Sequence, residues 1–439
     1  MELSNEKRIR WRSVLLLVIA VVVIRGGFLV AKFDSLNDDP DAYRVIAETL
    51  SQTGVFGLPT GDTGARPTAF RPPLYPWLLA WFVGDDGQLH NLAPALLHLL
   101  LGGITVLLTW DIARRLMATP SAWLAAALVL FDPILLWQST LIMTETIAAT
   151  LVVVFWWWWV VRIMPTPTDD LNVHCETDRK TGYVNAAIAG TLLLLTILCR
   201  PTFLVWSALL IPSMWFALTH CRIRRLALIA TTATIIVTGV GLWTMRNLSV
   251  IGHPVWATTH GGYTLLLANN DSFYDYLEQK PWQLPWKSEA WDPSEFFQTY
   301  SEMPRTGDEW TDDRVAYNAA KSTIQSRPQT FWYSCVVRLA RLWQPFPHAT
   351  SGRSTASIAA VGIYQSLIYA CILAAAYRHR ANLHPRNWRR WIPWWPAATL
   401  VLTLSAVHAV YWSNPRMRSP AIPILAITAT TLLHRPRLP

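Results

Sequence analysis

The sequence predicts an all-α polytopic membrane protein, with about ten transmembrane helices and two large outer loops that carry short interfacial helices. Three observations lead there. Apolar residues make up 52% of the 439-residue chain and charged ones only 15%. A soluble globular protein carries about 25% charged residues, so charge cannot cover a soluble surface here. Ten apolar runs approach the length of about 20 residues that a helix needs to cross a bilayer. The 25 Trp and 29 Pro suit membrane interfaces and spanning helices. The same balance excludes a soluble enzyme, a disordered chain and a disulfide-rich secreted domain. Cys175, Cys199, Cys221, Cys335 and Cys371 form no CxxC pair and no metal spacing, and read as buried thiols.

The runs fall at residues 13–31, 89–110, 121–137, 144–161, 183–199, 202–219, 226–246, 356–377, 392–412 and 419–434. The first follows Lys7, Arg8, Arg10 and Arg12 with no small-residue cleavage site, which reads as a signal anchor. With the N-terminus inside, Arg114-Arg115, the stretch from Arg162 to Lys180, the Arg222–Arg225 cluster, the Arg378–Arg390 cluster and the tail with Arg435 and Arg437 all fall inside. That is what the positive-inside rule requires, and it puts both termini in the cytoplasm of a multi-pass protein of the plasma (inner) membrane. Segments 32–88 and 247–355 then face outside, with short turns at 138–143 and Asn414–Arg418. The apolar stretch 74–83 is too short to cross and reads as a helix lying in the outer interface. Three parts follow: an N-terminal membrane module (1–246) whose first outer loop is 32–88, a large outer segment (247–355), and C-terminal membrane helices (356–439). Trp156–Trp159 reads as an aromatic belt.

The net charge is +9, and all 28 acidic residues precede Arg314. The bases beyond that point flank apolar runs and form no soluble basic domain. They read as cytoplasmic flanks and a site for an anionic membrane lipid rather than for nucleic acid.

Chemistry-bearing residues gather in the outer segments. Asp38, Asp39 and Asp41 surround Pro40 at the start of a helix whose apolar face is Val45, Ile46, Thr49 and Leu50. One Asp suffices to cap that helix, so a functional acid is as good a reading for the three. Arg71 stands before Pro72-Pro73 and Tyr75 at headgroup level, where a guanidinium suits a phosphate or merely snorkels. Glu145 opens an apolar run; an acid at membrane depth is functional or serves the helix dipole. Arg25 and Arg200 are isolated charges that can pair with these acids. Arg246-Asn247 opens the second outer segment, followed by His253 and His260, which leave a divalent metal possible. Arg416 and Arg418 lie in a stretch without acids and suit the phosphate of a lipid. No GxxxxGK[ST], GxGxxG or HExxH motif is present, so an activated donor comes from the membrane rather than from a cytoplasmic nucleotide.

These segments resemble the type C membrane glycosyltransferases, in the branch of the protein mannosyltransferases and the lipid A aminoarabinose transferase. The resemblance lies in Asp39-Pro40-Asp41-Ala42-Tyr43, Arg71-Pro72-Pro73-Leu74-Tyr75-Pro76, Thr144-Glu145-Thr146, Arg246-Asn247 and Arg416-Met417-Arg418-Ser419-Pro420, in the family's order across most of the chain. It implies a polyprenyl-phosphate-linked sugar as donor (hexosyl or pentosyl) and transfer to an acceptor hydroxyl on the outer face. Inversion by a single displacement follows from that reading. The family's catalytic acid, four residues before a Tyr, falls on Asp39. The family often has Glu where Pro40 stands, which leaves Asp38 and Asp41 as rivals. Glu145 matches the second acidic position. The candidate site is then Asp39, Asp41 and Glu145 as catalytic acids, Arg71, Arg246, Arg416 and Arg418 on the donor phosphate, and Tyr43, Tyr75, Asn247 and His260 on substrate. The acceptor, whether protein, glycolipid or polysaccharide, does not carry over. The rival readings are a transporter or channel, a polysaccharide ligase, and an acyltransferase using His408.

Overall fold

The computed structural model describes residues 2–61, 64–163, 179–218, 222–279, 291–348, 354–380 and 385–433. It opens on a rod: α1 (Glu2–Val21) continues through one π turn (Val22–Gly26) into α2 (Gly27–Ala31). A 3₁₀ turn (Phe33–Asn37) leads to α3 (Tyr43–Thr53), which ends at Gly54 in the left-handed region, φ 71°, where a side chain would be strained. Next comes a feature an all-α reading omits, an antiparallel hairpin of β1 (Gly57–Thr60) and β2 (Gly64–Pro67), with Thr60 opposite Gly64. Its Gly and Pro residues deny a helix its backbone entropy and hydrogen bonds, so the segment pairs instead. α4 (Leu74–Ala80) follows the Pro72-Pro73 entry. Trp77 and, just beyond the helix, Trp81 stand exposed, as suits the expected interfacial helix.

The bundle proper comprises α5 (Leu92–Leu116), α6 (Thr119–Leu130), α7 (Pro133–Gln138), α8 (Glu145–Trp158), α9 (Arg179–Cys199), α10 (Thr202–Ala217) and α11 (Arg222–Ile251). A second set, α17 (Thr355–Arg378), α18 (Trp395–Val410) and α19 (Ile422–Thr430), completes it. Each of the ten apolar runs is helical over most of its described residues. Among the described residues six helices are long and apolar enough to cross a membrane: Trp11–Ala31, Leu92–Leu116, Glu145–Arg162, Thr181–Cys199, Arg222–Ile251 and Thr355–Arg378. The chain is a multi-pass membrane protein. The other four runs are shorter helices. The run 121–137 breaks at Asp132, whose carboxylate caps α7 by accepting from Ile134 N and Leu135 N.

Small residues bring the rods together, as packing without a hydrophobic drive requires. A Cβ on Gly190 of α9 would meet the backbone of Thr232 on α11, and one on Gly239 would strike Leu194. The Thr232 hydroxyl donates across this seam to Ala186 O at 3.0 Å. Two of the four residues of the Trp run do not form the expected belt. Trp156 and Trp159 are fully buried, and their indole N–H groups donate to Pro393 O and Ile392 O, each at 2.8 Å. Trp206 adds a third bond, to Pro396 O at 3.0 Å. The polar edge of each ring finds a backbone carbonyl rather than a headgroup. Cys199 is buried and Cys335 and Cys371 half-buried; Cys175 and Cys221 lie outside the described residues.

At one end of the bundle sit α12 (Gly261–Ala268), α13 (Asp271–Gln279), α14 (Ser294–Glu302), α15 (Glu309–Ser326) and α16 (Pro328–Trp343). They share a core of Leu265, Phe273, Tyr274, Leu277, Phe296, Ala316, Ala320 and Val337. α16 also packs into the bundle. The Trp343 indole N–H donates to Ser405 Oγ of α18 at 3.0 Å. Trp332, Val336 and Leu339, one helical face, are exposed.

Candidate active site at the loop-bearing end

The site begins where α3 begins. Ala42 has φ 59°, the one positive φ on a non-glycine residue among the described residues. This bend turns the first amides of α3 back on Asp39. Tyr43 N–H donates to Asp39 Oδ1 at 2.8 Å and Val45 N–H to Oδ2 at 3.2 Å. Asp39 is therefore the cap of α3, and it is half-buried. Burial raises its pKa against the pull of these amides and of Arg44. Asp38 is exposed. Asp41 is engaged: its Oδ1 accepts from Arg71 Nη2 and its carbonyl from Arg71 Nε, both at 2.8 Å. The Arg71 guanidinium also lies over the rings of Phe70 (4.3 Å) and Tyr43 (5.7 Å).

The strand leading to Arg71 is gripped from two sides. Glu309, at the start of α15, accepts from the Thr68 hydroxyl and from Ala69 N–H, each at 2.6 Å. Arg246, near the end of α11, donates to Thr68 O at 2.7 Å and Phe56 O at 2.6 Å. Arg246 thus spends its guanidinium on backbone carbonyls. Its neighbour Asn247 is fully buried and donates to Val255 O at 2.7 Å. His260 stacks on Tyr263 (4.7 Å) and meets Phe70 edge-on (4.8 Å). Burial, and then Arg71, hold its pKa well below the usual histidine value, so it stays neutral.

Deeper in the bundle lies a second charged group. Glu145, first residue of α8, is 1% exposed. Its Oε1 lies 3.6 Å from Arg200 Nη2 and 3.7 Å from Arg416 Nε, and neither carboxylate oxygen has a hydrogen bond. Among the described residues the two guanidiniums otherwise hydrogen-bond only to thioethers: Arg200 Nη2 donates to Met417 Sδ at 3.2 Å, and Arg416 Nη1 to Met143 Sδ at 2.9 Å. Thioether sulfur is a weak acceptor, so both arginines keep most of their donor capacity. The expectation that Arg416 lacks an acidic partner is corrected here, because α8 supplies Glu145 from far back in the sequence. Arg418 differs. It is fully buried and donates from one nitrogen to Leu342 O (2.8 Å) in the last turn of α16 and to Gln344 O (2.6 Å) just past it. It caps that helix and presents no open face to a phosphate.

Tyr43 joins the two groups. Its buried phenol lies within electrostatic reach of Arg71 and Asp41 on one side and of Arg200 and Glu145 on the other. Tyr75 meets it edge-on at 5.3 Å. Tyr75 is fully buried, with its hydroxyl 2.7 Å from His98 Nε2; His98 Nδ1 lies 2.7 Å from Ser139 O. A carbonyl only accepts, so Nδ1 carries the proton and a neutral His98 accepts at Nε2 from the phenol. Ser139 lies on the turn leading to Glu145, which ties that turn to α4. His408 is buried, with Nδ1 3.0 Å from Trp412 O. Among the described residues no group of three or more His, Cys, Asp and Glu side chains is arranged to hold a metal ion.

The structure thus brings Asp39, Asp41, Tyr43, Arg71, Tyr75, Glu145 and Arg416 together and gives Arg246, Asn247 and Arg418 structural bonds. Sequence reasoning did not assign Arg200, Glu309 or His98 to the site. Arg200 signalled itself as an isolated charge between two apolar runs. Glu309 and His98 carry no local signal, because their partners lie in other segments.

No protein-family model matches the sequence, and no curated protein matches it. Among solved structures the chain is similar to the oligosaccharyltransferase AglB from Archaeoglobus fulgidus in complex with an inhibitory peptide and a dolichol-phosphate, at 15% identity and a TM-score of 0.53, covering 98% of this chain and 50% of that one. It is similar to the apo form of the same protein at 15% identity and a TM-score of 0.54, covering 97% and 50%. ArnT from Cupriavidus metallidurans bound to undecaprenyl phosphate matches more distantly, at 14% identity and a TM-score of 0.38, covering 95% and 78%. The chain therefore spans about half the length of AglB, and that likeness is one of fold.

Proposed function

We propose that the protein transfers a sugar from a polyprenyl-phosphate donor to an acceptor hydroxyl at the outer face of the membrane. One observation carries the reading. Asp39, half-buried and bonded to the Tyr43 amide, and a pair of under-used guanidiniums, Arg200 within electrostatic reach of the Tyr43 phenol and Arg416 beside it on Glu145, lie at the loop-bearing end of a membrane bundle. The AglB chain, similar in fold, was solved with a dolichol-phosphate.

In this reading the donor phosphate meets Arg200 and Arg416, which offer it charged hydrogen bonds. Glu145 keeps the two guanidiniums apart and aimed. Asp39 removes the proton from the acceptor hydroxyl as general base. That oxygen attacks the anomeric carbon, the bond from this carbon to the phosphate oxygen breaks, and polyprenyl phosphate leaves with the electron pair. The arginines stabilise its growing charge. One displacement inverts the anomeric centre. The Asp41–Arg71 pair holds the Tyr43 wall in place. The test is a membrane assay with a radiolabelled polyprenyl-phosphate sugar, followed by identification of the labelled product. Label moving to a membrane or envelope acceptor supports the reading. A donor that is bound but never consumed, whichever sugar it carries, overturns it.

A further inference from the structure

We propose that the bundle end opposite the candidate site carries a binding site for the phosphate headgroup of an anionic phospholipid. Arg222 and Arg225 of α11 and Arg389 and Arg390 of the 3₁₀ segment Pro385–Trp394 form it around the rings of Phe216, Trp388 and Trp395. The location follows from three helices. α10, α11 and α18 each have one end near the candidate site, at Arg200, Arg246 and Ala409 respectively, and the other end here. The 30 residues of α11 correspond to about 45 Å of helix, enough to cross the bilayer.

The rings make a box. Phe216 meets Trp388 edge-on at 5.7 Å and Trp395 at 5.8 Å, while Trp388 stacks on Trp395 at 6.0 Å. Phe216 is 55% exposed and Trp388 38%. Exposed aromatics at a helix end suit the level of the headgroups. Two arginines stand on or next to this box. Arg225 lies over Trp215, the residue before Phe216, at 5.6 Å and donates to its carbonyl. Arg389 lies over Trp388 at 5.6 Å. Arg222 is one turn before Arg225, and Arg222, Arg389 and Arg390 are exposed. Among the described residues no carboxylate pairs with these three, and no acid exists beyond Asp313 to do so.

Basic residues at this face also serve membrane insertion, but insertion requires charge only, not its assembly. Here Arg389 lies over a ring of the box and Arg225, from a segment some 160 residues away in sequence, over the indole next to it. A guanidinium beside an interfacial aromatic box suits a phosphodiester whose acyl chains continue along α10 and α18. Exposed apolar side chains, Val205 and Leu209 on α10 and Leu402 on α18, line that path.

The experiment uses the full chain in phosphatidylcholine nanodiscs. Phosphatidylglycerol is titrated in, and thermal stability and retained lipid are measured, the latter by native mass spectrometry. Stabilisation by phosphatidylglycerol beyond an equal amount of phosphatidylcholine is expected. Arg222→Ala, Arg389→Ala and Arg390→Ala should each weaken retention about fivefold. Arg378→Gln with Arg380→Gln, which removes two exposed charges elsewhere on this face, should leave it within a factor of two. Three outcomes overturn the proposal. One is no preference for phosphatidylglycerol in the unaltered chain. Another is an equal loss in the control variant, which would mean diffuse surface charge. The third is equal protection by soluble glycerol phosphate. These readouts do not use transfer activity, so they stand or fall apart from the proposed reaction.

Discussion

Asp39 caps α3 and, in the proposed reaction, serves as the base, and the conflict between these roles makes it testable. As the cap of α3 it accepts two backbone amides, which favour its charged form, yet burial raises its pKa overall. Asp39→Asn keeps the shape and one accepting oxygen, so α3 stays capped and the protein accumulates in the membrane. It cannot take a proton, and transfer should fall on the order of 10²–10⁴-fold. Asp41→Asn disturbs Arg71 instead and should cost less. An inactive Asp41→Asn beside an active Asp39→Asn would move the base by two residues. The base works ionised, so the rate should rise with pH through the folded pKa of Asp39. The acid limb of kcat/KM should lie above the usual aspartate value of about 3.9; a limb at or below that value would count against Asp39. Arg200→Ala and Arg416→Ala should each weaken donor use by about 1.5–3 kcal/mol, roughly 10- to 150-fold, through a lost charged hydrogen bond to phosphate. An unchanged apparent donor affinity in both variants would remove the phosphate from this pair. The sequence marked Asp39, Glu145 and Arg416 as charges out of place beside apolar runs. It could not show that Glu145 sits between Arg200 and Arg416, because three segments remote in sequence meet there.

At the scale of elements, arginine side chains close helix ends. Arg418 caps α16, and Arg338 of α16 donates to Ala409 O near the end of α18 and to Ala268 O at the end of α12. Arg418→Met should therefore strip partners from the carbonyls of Leu342 and Gln344. The expected cost is about 1–3 kcal/mol of stability. Thermal inactivation should shift down while the apparent donor affinity of the surviving protein stays near normal. A selective loss of donor affinity at unchanged stability would return Arg418 to the phosphate. α15 offers a titration. Burial raises the Asp313 pKa to about 6 even though Gly262 N–H donates to it at 2.6 Å. The unfolded carboxyl has a pKa of about 3.9. Between these values the native state holds a proton that the unfolded state has released, so this group's contribution to stability falls as pH rises from about 4 to 6 and is flat above. Asp313→Asn should flatten that window, which unfolding followed across pH will show. The hairpin of β1 and β2 was not legible as strands, since four-residue Gly/Pro-rich strands carry no alternation to read.

At the scale of the molecule, the apolar runs were the most legible signal, because the bilayer imposes a length that composition alone reveals. Topology remains an expectation from charge. Reporters at residues 60 and 300 should face outside, and reporters at 223 and 385 inside. Opposite faces for 60 and 300 would contradict the direct bonds between their segments as well as the charge rule. Least legible was the packing that makes one object of segments 32–88 and 247–355. Glu309 and Thr68 read as ordinary helix-start and loop residues, and Arg246 read as a phosphate ligand rather than a grip on Thr68, since contacts between residues some 180 to 240 positions apart leave no mark on local pattern.

The double grip on Thr68 and Ala69 has a thermodynamic consequence. Glu309 belongs to the α12–α16 helices and Arg246 to a spanning rod, and between them they fix the segment that delivers Arg71 to Asp41. A molecule that binds the α12–α16 helices and shifts α15 also shifts this segment, and with it the tyrosine wall shared by the two charged groups. Under the proposed function, linkage makes the effect mutual: whatever factor such a ligand applies to the affinity for the lipid donor, the donor applies to the ligand. Recognition of the proposed acceptor and capture of the proposed donor then become two readings of one equilibrium.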